Sequence, residues 1–200
     1  MPEAHSSSAT RALPWSRTLR SGRFGNTGNP GLLLVRPLRD VASLAVIARK
    51  SGPPKTIAGL APPEVGRLTE AEGVRVAADG PGQWRIITQT RSSQELFSQV
   101  RDEVGATASV IDQSHGWATI EISGMTAPDV LAKGSSIDFH LSQFAPGSST
   151  PTSIHHMAVH LCCIDDTPTY TAQVFRSMTG SFATWLKESA ATFGFEVEDA

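Results

Sequence analysis

Short apolar runs separated by turn-forming residues dominate the chain from Leu32 onward. Leu32–Arg36 and Ala42–Arg49 read as strands on either side of the Pro37–Asp40 turn region, and prolines at 53, 54, 62 and 63 then interrupt regular hydrogen bonding. Val74–Ala78 and Trp84–Thr88 are rich in strand formers and flank Asp79-Gly80-Pro81-Gly82, which predicts a hairpin. Leu96, Phe97, Val100 and Val104 then fall on one face of a helix that Ser92 or Ser93 caps and Gly105 stops.

The same order recurs twice. Ser109–Asp112 and Trp117–Ser123 predict a second hairpin, with Ala118, Ile120 and Ile122 on one face and Trp117, Thr119 and Glu121 on the other. A short helix follows, with Thr126 as N-cap, Pro128 and Asp129 in its first turn and Gly134 beyond its end. Ser153–Ile164 and Thr169–Arg176 predict strands around Asp165–Pro168, and a helix from Thr179 to Phe193, closed by Gly194, carries a stripe of Phe182, Trp185, Leu186 and Phe193. Three strand-strand-helix units predict an α+β fold, an antiparallel sheet with helices packed on it. Nothing at residue level repeats among the units, so the regularity belongs to the architecture.

Composition divides the chain into residues 1–30, a basic extended N-terminal arm, and residues 31–200, a single α+β domain. The arm is rich in Ser, Thr, Gly, Pro and Asn and poor in aliphatics, so disorder is expected in isolation. Residues 1–55 hold 9 Lys and Arg against 2 Asp and Glu, a net +7, whereas residues 56–200 hold 8 against 17, a net −9. Trp15 and Phe24 stand among Arg17, Arg20 and Arg23, a combination suited to anchoring a segment on another subunit. A solvated tail folded over its own acidic body is the plainer alternative. Sparse basic residues and a formal net charge of −2 argue against nucleic acid as the partner.

No apolar run reaches the roughly 20 residues of a membrane helix. The N-terminus shows no apolar signal region, although arginines among serines admit a transit-peptide reading. The only cysteines, Cys162 and Cys163, are neighbours that disulfide geometry joins poorly. Cytoplasmic location is the expectation.

Candidate chemistry is sparse. His155, His156, His160, Cys162 and Cys163 have the composition of a zinc site. Strand alternation would put His156, His160 and Cys162 on one face, but at about 6–7 Å per same-side step the two histidines are too far apart to share a metal. Asp112, Ser114 and His115 contain the parts of a triad, yet such close neighbours in a tight turn do not line up as nucleophile, base and orienter, and turn formation accounts for them. Gly80-Pro81-Gly82 lacks the Lys and following helix of a phosphate loop. Trp185 reads as core, Trp84 as core or rim, and Trp117 as covering a second layer or a partner.

Two stretches, Gly80-Pro81-Gly82-Gln83-Trp84-Arg85-Ile86-Ile87-Thr88 and Asp112-Gln113-Ser114-His115-Gly116-Trp117-Ala118-Thr119-Ile120-Glu121-Ile122-Ser123-Gly124, in that order, resemble the gamma subunit family of heterotetrameric sarcosine oxidase, relatives of the aminomethyltransferase fold. The likeness extends over Val35–Leu44 with Ala48-Arg49-Lys50, Val130–Gly134 with Ile137–His140, and Val174–Ser177 with Trp185-Leu186. It implies a non-catalytic assembly subunit in a complex that oxidises sarcosine to glycine with O2, yielding hydrogen peroxide and formaldehyde or 5,10-methylenetetrahydrofolate. It further implies that FMN, FAD, NAD and tetrahydrofolate belong to the alpha and beta chains and zinc to a delta chain. This chain is thus expected to hold no catalytic, cofactor or metal residues. Trp15, Arg17, Arg20, Arg23, Phe24 and Trp117 are the expected partner contacts. A stand-alone folate-binding aminomethyltransferase-like domain, and an unrelated interaction module, are the alternatives.

Overall fold

A computed structural model describes residues 14–26, 28 and 32–199. Its strands form two sheets, each with helices on its outer side. The seven-stranded sheet runs in the order β1 (Gly22–Phe24), β12 (Phe195–Val197), β2 (Leu33–Pro37), β8 (Trp117–Ser123), β11 (Thr169–Phe175), β10 (Met157–Asp165), β9 (Ser149–Ile154). The five-stranded sheet runs β4 (Leu68–Ala71), β5 (Val74–Gly80), β6 (Gln83–Thr88), β3 (Ala42–Ala48), β7 (Ala108–Asp112). These pairings are antiparallel except that β12 lies parallel to β2.

Two separate apolar cores explain this layering. Ala118, Ile120 and Ile122 of β8 and Ala172 and Val174 of β11 bury outward against α2 (Ala127–Ala132) and α3 (Thr179–Ala190), whose Val130, Leu131, Phe182 and Leu186 are fully buried. Leu44 and Val46 of β3 and Val76 and Ile86 bury the other way, against Leu96, Val100 and Val104 of α1 (Ser93–Val104). Ser92 starts α1 with a capping box: its hydroxyl accepts from the Glu95 N–H while Glu95 reaches back to the Ser92 N–H.

Two sequence expectations are corrected. Ser109–Asp112 and Trp117–Ser123 do not form a hairpin, because β7 pairs with β3 in one sheet while β8 pairs with β2 and β11 in the other. The connection is held as a crossover: Asp112 Oδ1 accepts from the Ser114 N–H at 2.9 Å, and Ser114 Oγ accepts from the Ser43 N–H at 2.9 Å. A tight turn between alternating strands looks the same in sequence whether it folds back or crosses layers. Ser153–Ile164 is not one strand but β9 and β10 joined at His155-His156, both with positive φ (47° and 66°). Such a turn normally announces itself with Asn or Gly, and two histidines give no such signal. Thr126 is the N-cap of α2 as expected, without a side-chain capping bond. The short α2 is held instead by burial of Ala127, Val130 and Leu131.

Where it is described, the N-terminal segment packs on the body rather than standing free. The Trp15 carbonyl accepts from the N–H groups of Thr18 and Leu19, so Trp15 and Leu19 turn to one side and are buried while Arg17 and Arg20 face outward. Further along, the Asn26 N–H donates to Ala191 O, and a Cβ at Gly194 would collide with the Asn26 carbonyl oxygen. Gly194, at φ 78°, therefore both ends the turn after α3 and admits the arm. Residues 1–13 of the expected arm lie outside the described residues.

Candidate functional site

The space between the sheets is filled by polar side chains, a consequence of charged and amide residues placed at inward positions of apolar strands. Arg85, in the middle of β6, is buried and donates from Nε and Nη2 to Asp79 Oδ2 at 3.2 and 3.0 Å, and from Nη1 to Gln173 Oε1 at 3.3 Å. Gln173 in turn donates to Thr119 Oγ1 at 3.0 Å. The guanidinium lies 4.0 Å from the centroid of Trp117, which stacks on Phe175 at 4.1 Å. Trp117 thus covers the second layer of its own chain.

His160 continues this network on β10. Its Nε2 lies 3.1 Å from Asp79 Oδ1 and 3.2 Å from Ser149 Oγ, and its Nδ1 lies 3.7 Å from Cys162 Sγ. Burial pushes the His160 pKa down to about 4, with a further push from Arg85 and opposition from Asp79. The ring is therefore neutral at neutral pH, and the partners assign its proton to Nε2, donated to Asp79, leaving Nδ1 to accept from the thiol. Arg85 is accordingly the charge partner of Asp79, and the short His160–Asp79 contact is a hydrogen bond rather than an ion pair.

Cys162, His160 and Asp79 are connected in the order of a nucleophile triad. Their energetics are those of packing. Cys162 is fully buried and its thiol is pushed up to about 11 by burial, so the reactive thiolate is scarce at neutral pH. Ser149 and Asp79 approach the same imidazole nitrogen, so Ser149 cannot be the nucleophile of a relay either.

Neutral burial of His160 makes a pH prediction. Its folded pKa of about 4 lies below the ordinary 6.5, so the unfolded chain takes up this proton first as pH falls. The contribution is complete above pH 6.5 and is lost as pH falls toward 4, amounting to about 2 kcal/mol at pH 5 and about 3 kcal/mol near pH 4. Urea unfolding of the native chain and of His160→Gln across this range should give the native chain the steeper loss. Parallel pH profiles would refute the assignment.

The residues expected at a partner interface separate. Trp15 is corrected from exposed anchor to core residue: it is 1% exposed, packs edge-on against Phe182 at 6.0 Å and donates from Nε1 to Thr119 O at 3.0 Å. An amphipathic turn in a polar segment had concealed an apolar pair spaced to reach the core. Arg17, Arg20 and Arg23 are exposed, with Arg23 paired to Glu196 at 2.9 Å. Phe24 is 37% exposed and stacks on Phe195 at 5.3 Å. The inter-sheet network escaped the sequence reading because its members come from β5, β6, β8, β9, β10 and β11. Two local signs were present, a charged residue between Trp84 and Ile86 and a histidine inside the apolar run from Met157 to Ile164.

At the open end of the layer, a cleft of about 190 Å³ is lined by Glu70, Arg75, Glu121 and Thr171 among others. Its acids are already paired, Glu70 with Arg75 at 2.9 Å and Glu121 with Arg36 at 2.7 Å. Among the described residues no group of three or more His, Cys, Asp and Glu could hold a metal ion, and no helix is long and apolar enough to cross a membrane.

Comparison with known proteins places this architecture. One chain of the heterotetrameric sarcosine oxidase from Corynebacterium sp. U-96, solved in complex with pyrrole 2-carboxylate, superposes with a TM-score of 0.70 at 19% identity, over 80% of this chain and 85% of that one. The glycine cleavage system aminomethyltransferase T from Bartonella henselae matches with a TM-score of 0.63 at 12% identity, over 85% of this chain but only 48% of that one. The aminomethyltransferase-like α+β fold expected from the sequence is therefore present. No curated protein matches the chain. The family model described as sarcosine oxidase, gamma subunit family, matches residues 59–192. This chain belongs to the sarcosine oxidase gamma subunit family.

Proposed function

We propose that the chain is the gamma subunit of a heterotetrameric sarcosine oxidase and serves assembly rather than chemistry. The family match over residues 59–192 carries this reading. In it, the complex oxidatively demethylates sarcosine to glycine with O2, producing hydrogen peroxide and formaldehyde or 5,10-methylenetetrahydrofolate. FMN, FAD, NAD and tetrahydrofolate sit on the alpha and beta subunits and zinc on the delta subunit, in the cytoplasm. The sealed Cys162–His160–Asp79 layer supports a non-catalytic role, because its thiol is not ionised and its imidazole is held neutral by burial.

The likeness to an aminomethyltransferase fold favours one other reading, a stand-alone folate-binding domain. The inter-sheet cleft, about 190 Å³, is below the roughly 300 Å³ of small-ligand sites, and Glu70 and Glu121 are committed to arginines. Those features favour the assembly subunit.

Affinity purification of the tagged chain from its native cell tests the choice. A yellow complex of two larger flavoprotein chains, forming peroxide on addition of sarcosine, is the expected product, and a complex prepared without this chain should assemble poorly and lose flavin. A colourless single chain would overturn the subunit reading. Normal flavin content and turnover without the chain would overturn the assembly role.

A further inference from the structure

We propose that the outward face of the N-terminal segment, Arg17 and Arg20 together with Lys187 of α3, is a docking surface for an acidic segment of a larger subunit; this rests on the subunit reading above. The three cations rim a cleft of about 190 Å³ whose remaining lining is Thr18, Leu19, Phe24 and Val197, without an acidic residue. Lys187 is held in place by donating to Thr18 O at 3.1 Å. Arg17 and Arg20 are exposed, and no described side chain pairs with either.

Their display is fixed by the fold. Trp15 and Leu19 are locked in the core on one side of a single turn, which forces Arg17 and Arg20 to the other. A solvated tail needs no such anchor, and although residues 56–200 carry a net −9, no described acid pairs with Arg17 or Arg20. Glu196 pairs with Arg23 at 2.9 Å, and Glu198 and Asp199 share with Arg20 the neighbouring cleft on its Leu38–Arg39 side without forming an ion pair with it.

Charge complementarity selects the occupant. Carboxylates of an extended segment satisfy the three cations, while one apolar side chain of the same segment covers the half-exposed Phe24, which stacks on Phe195. A free small anion is disfavoured, because no charged or polar side chain lining the cleft is deeply buried. Nucleic acid would require a longer cationic track.

The test uses full-length chains and the purified larger subunits. Arg17→Glu/Arg20→Glu should weaken capture by about tenfold or more at low salt, with the loss shrinking between about 50 and 300 mM salt as screening grows. The thermal midpoint of the isolated variant should match the native chain, since neither arginine has an ion-pair partner among the described residues. Arg101→Glu, an exposed reversal on α1, should bind as the native chain does. Capture of the double variant within about twofold of native overturns the docking surface alone, as does an equal loss in Arg101→Glu. A native chain that self-associates through these arginines, or whose capture by the larger subunits rises when residues 1–13 are deleted, identifies a second copy or its own terminus as occupant and likewise overturns it. Native chain that captures no larger subunit overturns the subunit reading as well.

Discussion

Trp15→Ala is expected to cost about 3–5 kcal/mol of unfolding free energy, the range for emptying a fully buried large aromatic site. The indole is 1% exposed, contacts Phe182 and donates to the Thr119 carbonyl across 104 residues of sequence, so its removal leaves a cavity and takes one of two donors from that carbonyl, which still accepts from the Leu38 N–H at 3.0 Å. Denaturant unfolding of the isolated variant provides the measurement. A loss under about 1 kcal/mol would show that the segment is not part of the folding unit. The comparison with Arg17→Glu/Arg20→Glu separates two roles of adjacent residues, since the first change lowers stability and the second only recognition.

Arg85→Ala is the second large effect, expected at about 3 kcal/mol. Breaking a buried pair by removing one member leaves the other charge uncompensated, a cost of about 3–5 kcal/mol in fully buried cases. Asp79 keeps 18% of its side chain exposed, which places the expectation at the lower end. The same substitution takes the donor from Gln173 Oε1 and the cation from the Trp117 ring. Adding Asp79→Asn should restore part of the loss, because the amide removes the stranded charge while still accepting from His160. A double variant less stable than Arg85→Ala would show that the charge is not what the arginine compensates. The layer therefore acts as a latch between two sheets whose apolar cores lie on their outer sides.

Local signals in the sequence were reliable where a short segment settles its own structure. Ser92, Glu95 and Gly105 bound a helix whose apolar face is buried, and Val74–Thr88 forms a hairpin around the Asp79–Gly82 turn. Ala118, Ile120 and Ile122 face a core as alternation requires. Each outcome depends on neighbours within a few residues, where side-chain period and turn chemistry dominate.

Pairing across the chain was not legible in the same way. β7 and β8 obey the same alternation whether joined as a hairpin or sent into different sheets, and only the Ser43–Ser114 tie and the partners β3 and β11 decide between them. β1 and β12 have only three residues each and exist because they pair with one another and with β2. The candidate site shows the same limit. Arg85 and His160 were visible as polar residues within apolar strands, but their joining through Asp79 required two sheets to meet.

By itself the sequence determined the α+β class, the helix ends, the turn chemistry, the charge asymmetry and the family resemblance, because all of these reside in local order or composition. Tertiary structure decided that there are two sheets, that Trp15 belongs to the core while Arg17 and Arg20 face outward, and that His160 and Cys162 are buried beside one another. Burial and long-range pairing are properties of the assembled layers, and the free energy of burying a ring or a charge depends on what closes over it.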